Sequence, residues 1–278
     1  MPFWLPKPSD LSKIAVMGCG WLGLPLAASL LNHGYQINGS TTSEEKRSLL
    51  DEKGIKGFLI TLREDGIKGD IIDFLEEVEI LIINIPPKLR GQKKGSYVQK
   101  LRHLHKAIKV SKTRKVILVS STSVYGDVEG VVTENTKPNP ATESGKQLLE
   151  AETLFIKDND LQVTVIRFGG LIGPDRHPVY RLSGKKELTN GNEYVNLIHL
   201  DDCIRILEGI IHHRWWNEIF NGVYPDYPTK AIYYRSEAIK RGLPSPEYVS
   251  KSGKKSKKVV PNRLYNVKMM TLDTSIHL

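Results

Sequence analysis

Ile14–Ala15–Val16–Met17–Gly18–Cys19–Gly20–Trp21–Leu22–Gly23 is the stretch on which the reading of this chain turns. Four apolar residues run into Gly-x-Gly-x-x-Gly; the helix-like Leu24–Leu31 follows, and Gly34 closes it. That order predicts a short buried strand, a tight turn and a helix. Each glycine has its own physical reason. Gly18 permits the tight turn, Gly20 lets a pyrophosphate approach the backbone beside Trp21 and Leu22, and Gly23 lets helix and strand pack closely. The helix N-terminus then offers unpaired N–H groups to phosphate oxygens. The spacing alone is a weak signal. Between the first strand and first helix of an alternating chain it points to a dinucleotide site.

The rest of the chain supplies that alternation. Apolar runs stand at Ile14–Met17, Tyr35–Gly39, Gly57–Leu62, Val78–Ile85, Lys115–Ser120 and Gln162–Phe168. Amphipathic stretches lie between them. Val98, Leu101, Leu104 and Ile108 repeat at helical spacing, as do Cys203, Ile206, Leu207, Ile210 and Ile211. Asp201 and Asp202 stand where that last helix begins, as cap and first-turn acids. The strands are continuous apolar runs, as a sheet covered on both faces requires. The expected fold class is therefore α/β, a doubly wound parallel sheet with a small C-terminal lobe. Residues 1–173 form the dinucleotide-binding domain, and 199–223 return to it. After Gly173 glycine, proline, tyrosine and lysine rise, and 174–198 with 224–278 read as the small substrate lobe.

With 278 residues and 26% charged side chains, the chain has the composition of a globular protein, not a disordered or collagen-like one. Cys19 and Cys203 are its only cysteines, too few for a disulfide framework or a zinc cluster, so a reducing cytosol is expected and no metal is assigned. Cys19 reads as a small residue in the glycine turn. Met1–Lys13 lacks an apolar signal-peptide region, and no apolar run approaches the ~18 residues of a membrane helix. The net charge of +9 includes a run at Lys251, Lys254, Lys255, Lys257 and Lys258, read as a solvated loop in preference to a nucleic-acid patch. The expected partner is a small-molecule substrate, not a membrane or nucleic acid, and a homodimer is compatible with the chain.

The second strand decides the choice of dinucleotide. An NAD site usually carries an acid at that strand's tip, about 20 residues past the glycines. Here the tip reads Asn38–Gly39–Ser40–Thr41–Thr42–Ser43, followed by Glu44, Glu45, Lys46 and Arg47. Ser40, Thr41 and Thr42 with Arg47 suit a 2′-phosphate, Arg47 by a bidentate fork, so NADP is expected over NAD. Glu44 or Glu45 reaching a ribose is the alternative. Thr42 and Glu45 also make a capping box. Asn84 and Pro86 end the fourth strand, where a doubly wound sheet lines its cofactor crevice.

Val116–Ile117–Leu118–Val119–Ser120–Ser121–Thr122–Ser123–Val124–Tyr125–Gly126–Asp127 resembles the fifth strand and serine loop of the extended short-chain dehydrogenases, the NAD-dependent epimerase/dehydratase family. Glu134–Asn135–Thr136–Lys137–Pro138–Asn139–Pro140 resembles the approach to that family's catalytic helix. Val165–Ile166–Arg167–Phe168–Gly169–Gly170–Leu171–Ile172–Gly173–Pro174 resembles its sixth strand and the loop over the nicotinamide. Asn196–Leu197–Ile198–His199–Leu200–Asp201–Asp202 resembles its late strand-to-helix signature. The resemblance covers about residues 13 to 245. Gly-x-Gly-x-x-Gly in place of the family's Gly-x-x-Gly-x-x-Gly marks an atypical branch.

The resemblance implies an NAD(P)-binding Rossmann fold. It places Ser120, Gly169 and Gly170 beside the cofactor and makes Ser121 the hydrogen-bond donor to substrate. It makes Lys146, supported by Glu150, the ligand of the nicotinamide ribose. The family's tyrosine, four residues before that lysine, is absent: Thr142 stands there, and Ala141 is next to it. A threonine hydroxyl has no accessible acid dissociation and cannot serve as general base. Thr122 and Ser123 also replace the acidic pair of the family's dehydratases, so loss of water is not expected. His177, in the loop after the sixth strand, is the substitute acid/base candidate, with a loop histidine beside Pro178 as the plain alternative. Arg176 and Arg181 suit an anionic substrate. The expected activity is that of an oxidoreductase or epimerase on a small polar, nucleotide-linked substrate. A degenerate cofactor-binding sensor is the rival.

Overall fold

The computed structural model describes residues 12–87, 95–249 and 256–277. The prolines before Ser12 and Lys251, Lys254 and Lys255 lie outside these residues. Seven strands form the main sheet: β1 Lys13–Met17, β2 Gln36–Thr41, β3 Lys56–Leu59, β4 Ile80–Ile83, β5 Lys115–Ser121, β6 Gln162–Phe168 and β7 Ile219–Gly222. Their order is β7-β6-β5-β4-β1-β2-β3. The pairings of β1 with β2 and β4, of β2 with β3, and of β4 with β5 are parallel, with Ile14 opposite both Ile37 and Ile80. The order reverses between β1 and β4. In such sheets ligands bind at that reversal, beyond the carboxyl ends of the strands. The expected α/β class, doubly wound and parallel, is what the chain adopts.

The chain divides into two compact units. The first comprises the described parts of Met1–Ser120 with Lys146–Ile166 and Leu207–Glu218; the second comprises Ser121–Gly145, Arg167–Ile206 and the described parts of Ile219–Leu278.

In the first unit the apolar strands fill the interior: Ile14, Val16, Leu81, Ile82, Val116 and Ile117 are all buried. Helices α1 Gly23–Asn32, α2 Glu44–Glu52, α3 Tyr97–Lys109 and α4 Glu143–Ile156 follow β1, β2, β4 and β5. Val98, Leu101, Leu104 and Ile108 of α3 are buried, as their spacing predicts; each such side chain contributes about 1.5–3 kcal/mol. Ser96 caps α3 by accepting from the Gln99 N–H at 3.1 Å. Polar Asn38 sits in buried β2 because its Nδ2 donates to the Phe74 carbonyl at 2.8 Å. The α2 cap is one residue later than the capping box predicts. Ser43, in extended backbone, accepts from the Lys46 N–H, and Thr42 is exposed.

In the second unit a core of Ile172, Val179, Val195, Leu197, Tyr233, Tyr234, Ala238 and Ile276 gathers around helix Lys230–Lys240. Strand Gly170–Ile172 pairs in parallel with Leu197–His199, and Gly130–Val132 with Lys257–Val259. Helix Leu200–His212 opens with Asp201 and Asp202 in its first turn, as expected. Asp202 has a further task that sequence does not show. It is fully buried and accepts from the backbone N–H groups of Asp273 and Thr274 at 3.2 and 3.1 Å, tying the C-terminal segment down.

Candidate functional site

Two close contacts build the glycine turn. Gly18, at φ 101°, follows β1 in backbone that favours glycine, and a Cβ there would lie 2.8 Å from the Asn84 carbonyl oxygen. A Cβ on Gly23 would lie 2.2 Å from the Gly18 carbonyl oxygen, so α1 can start only this close to β1 with glycine. Gly20 is different. It is exposed, and a Cβ there would meet nothing within 4 Å. Among the described residues nothing requires glycine at this position, and open space lies beside it. Leu22 precedes α1 with no side-chain cap; the Leu24 N–H donates to the Gly20 carbonyl at 3.0 Å and Pro25 has no N–H, so it is the Leu22 and Gly23 amides that an anion would take. These residues fit a dinucleotide pyrophosphate.

The neighbours of this turn brace it. The Gly18 N–H donates to Ser40 Oγ at 2.9 Å, and the Cys19 N–H to the Ser40 carbonyl at 2.8 Å. Asn84 Nδ2 donates to the Gly18 carbonyl at 3.2 Å. Ser40 is buried and its hydroxyl also meets Met17 Sδ, so it holds the turn and is not available to a 2′-phosphate. This corrects its assignment as a phosphate ligand. Thr41 is likewise buried, and its Oγ1 accepts from the Ser43 N–H. Cys19 is buried, and burial pushes its thiol up to about 12, which makes it a packing residue. Arg47 pairs with Glu44 and, at 3.3 Å, with Asp51, both on its own helix. Pro86 is exposed, and the buried Tyr97 donates its hydroxyl to the preceding Ile85 carbonyl at 3.1 Å.

Also in the first unit, Lys146 is exposed on the first turn of α4. Glu150 does not support it as expected: its carboxylate accepts from Arg102 at 3.1 Å, one helix away. Ser120 is buried and its hydroxyl donates to Glu152 at 2.5 Å, so its side chain is taken up by α4.

In the second unit Ser121 starts a one-turn helix, Thr122–Tyr125, and its Oγ accepts from the Ser123 N–H at 3.2 Å. That leaves the Ser121 O–H to donate outward. Thr142 Oγ1 accepts from the Gly145 N–H at 3.1 Å, which makes it a cap for α4 and no replacement for the phenol. Tyr125 is not a replacement either. It is buried, donates to Asn221 Oδ1 at 2.8 Å and accepts from Arg167 at 3.0 Å, and burial pushes its pKa up. Gly169 and Gly170 allow Asn196 close: a Cβ on Gly169 would lie 2.5 Å from its carbonyl oxygen, and the Gly170 N–H donates to that oxygen at 2.8 Å.

His177 departs from expectation most clearly. Its Nδ1 accepts from the Val179 N–H at 3.2 Å, and Nε2 lies 2.9 Å from Tyr233 Oη. Tyr233 donates its own proton to the Ile276 carbonyl at 2.6 Å, so Nε2 must be the donor to Tyr233. Both nitrogens are used, and the side chain is only 1% exposed. Burial, then the Arg241 charge, pull the imidazole down to about 4, against the weaker pull of Glu237. His177 is a structural core residue whose two ring nitrogens are both spent inside the core, which corrects its reading as the acid/base candidate.

Sequence reading missed Lys257. It lies in the lysine run assigned to a solvated loop, yet it points inward: its ammonium donates to the carbonyls of Gly126 and Thr122 at 2.6 and 3.2 Å. The usable signal was period two. Lys257 and Val259 share one face of a strand whose Val259 is buried. Lys258, on the other face, sits over the Tyr194 ring at 4.4 Å.

Comparison with known proteins finds relatives of the chain. The chain is 33% identical to protein YeeZ of Escherichia coli K12 over 239 residues, 86% of this chain and 87% of that one. It is 23% identical to the chloroplastic epimerase family protein SDR39U1 homolog of Arabidopsis thaliana, over 79% of this chain and 68% of that one. Among solved structures, UDP-glucuronic acid 4-epimerase from Bacillus cereus, in complex with UDP-glucuronic acid and NAD, superposes with a TM-score of 0.78 at 17% identity, covering 95% of each chain. No family model matches the chain. No described helix is long and apolar enough to cross a membrane.

Proposed function

The chain belongs to the extended short-chain dehydrogenases, the NAD-dependent epimerase/dehydratase family, and from that premise we propose that it is an NAD(P)-dependent oxidoreductase or epimerase acting on a small polar, nucleotide-linked substrate. One observation carries the cofactor half of this reading: the exposed Gly20, with open space where a side chain would stand, at the start of an uncapped helix. The nicotinamide, when bound, supplies the acceptor or donor of a hydride. The chain's own residues bind and orient. Amides of the glycine turn take the pyrophosphate, Lys146 takes the nicotinamide ribose, and Ser121 donates its O–H to the substrate oxygen. Both cysteines are buried free thiols, in keeping with a reducing cytoplasm.

Ser121→Ala is expected to lower turnover about 10²-fold, the usual cost of one donor to a developing oxyanion, with dinucleotide affinity unchanged. Steady-state assay against UDP-sugars and simple carbonyl compounds, with both reduced cofactors, makes the measurement. An unaltered rate removes Ser121 from the chemistry.

NADPH should bind more tightly than NADH, but by less than about tenfold. A 2′-phosphate must draw Arg47 from Glu44 and Asp51, and exposed pairs of this kind are worth about 0–1 kcal/mol. Arg47→Ala should erase the difference. Parallel titrations showing equal or tighter NADH binding overturn the preference.

A second reading has an observation of its own. Thr142 stands in place of the phenol and its hydroxyl oxygen caps a helix, so no side chain is assigned to move the proton. A sensor that binds dinucleotide without turnover accounts for that. Binding with no turnover across the substrate panel favours it over the enzyme.

A further inference from the structure

Lys257 enters the serine turn from a distant part of the sequence. Strand Lys257–Val259 pairs in parallel with Gly130–Val132, Lys257 opposite Gly130. Asn196 locks this strand from both sides: its Nδ2 donates to the Lys257 carbonyl at 3.0 Å, and its Oδ1 accepts from the Val259 N–H at 2.7 Å. The ammonium is thereby delivered to the carbonyls of Thr122 and Gly126, which bracket the one-turn helix that Ser121 begins. An ammonium suits this place. It has three donors and no acceptor, and two converging carbonyls take charge-assisted bonds from it. Burial holds its pKa below the usual lysine range, with Asp127 and Glu193 pulling the other way and Lys230 adding to the decrease. So the contact is not that of a solvated surface lysine.

We propose that Lys257 is a positioning residue for Ser121: by clamping the Thr122 and Gly126 carbonyls it fixes the serine turn and aims the Ser121 hydroxyl. The proposal rests on the reading of Ser121 as donor to the substrate. Lys257 touches the turn, not the reacting atoms.

The test uses the full chain, with Lys257→Met, which keeps the stem and removes every donor, and Lys257→Arg, which restores the charge and N–H donors. Hydrogen exchange over residues 121–126 should speed up about tenfold or more in the Met variant and return towards the parent in the Arg variant. Exchange over 18–23 and dinucleotide affinity should stay unchanged. Turnover should fall about 10²-fold through kcat, as a misplaced group costs, with the KM for cofactor unmoved, and Arg should recover most of it. Should the Met variant not fold, Lys257→Leu, which likewise has no donor, carries the same comparison. Unchanged exchange over 121–126 overturns the clamp. Faster exchange with unchanged kcat overturns its role in aiming Ser121. A parent inactive on every substrate defeats the proposed function instead, and the exchange measurement then decides the clamp by itself.

Discussion

Gly20→Val is expected to weaken dinucleotide binding about 10²-fold or more while leaving the fold intact. The two outer glycines of the turn are needed by the protein itself, since a Cβ on Gly18 or Gly23 would run into backbone at 2.8 or 2.2 Å. Substituting them would weaken binding by deforming the turn, and the result would say little about the ligand. A Cβ on Gly20 meets nothing within 4 Å among the described residues, so a side chain there enters the space assigned to the pyrophosphate. A branched side chain there displaces the pyrophosphate from the turn amides. The expected loss of affinity for NADPH is about 10²-fold or more, roughly 2.7 kcal/mol or more. The unfolding midpoint should stay near that of the parent. Calorimetric titration of both proteins makes the comparison, and equal affinity places the cofactor elsewhere.

Stability should fall in mild acid because of His177, and by a large margin for one residue. Its folded-state pKa is about 4, below the ordinary 6.5 of an unfolded chain. At pH 7 the imidazole is neutral in both states and carries no penalty. As the pH drops through 6.5 the unfolded chain takes up a proton that the folded protein refuses, and stability falls until the pH passes about 4. Between pH 7 and pH 4.5 the difference is on the order of 2–3 kcal/mol. Urea unfolding at pH 7 and pH 4.5 measures it. His177→Gln, which cannot ionise, should lose less between those pH values than the parent by about that amount. Equal losses in the two proteins would mean that His177 is free to protonate in the fold, and would reopen its case as an acid.

The elements were legible where the signal is local. Ile80–Ile83 and Ile14–Met17 are apolar runs because both sheet faces are covered, and both are strands or parts of strands. The α3 stripe and the glycine spacing are equally local. What the sequence hid is how polar groups are spent, since that depends on partners far along the chain. Ser40 looked available to a phosphate, but its hydroxyl accepts from Gly18, a residue 22 positions away. His177 looked like a loop histidine near the chemistry; Tyr233, 56 positions on, occupies its Nε2. Lys257 was lost in a run of lysines, and its partners lie 135 and 131 positions earlier. Arg47 is a nearer case, with partners within one turn of its own helix.

The missing phenol has a physical account at the level of roles. Thr142 serves the N-terminus of α4, where a hydroxyl that accepts from an N–H is worth about 1 kcal/mol. A tyrosine there would lose that cap.

A crystal structure of the chain grown with NADPH tests the central claim most directly. Pyrophosphate oxygens should lie within about 3 Å of the backbone amides after Gly20, with Gly20 Cα against the phosphates. Dinucleotide bound away from Gly18–Gly23, or none at saturating concentration, would contradict it.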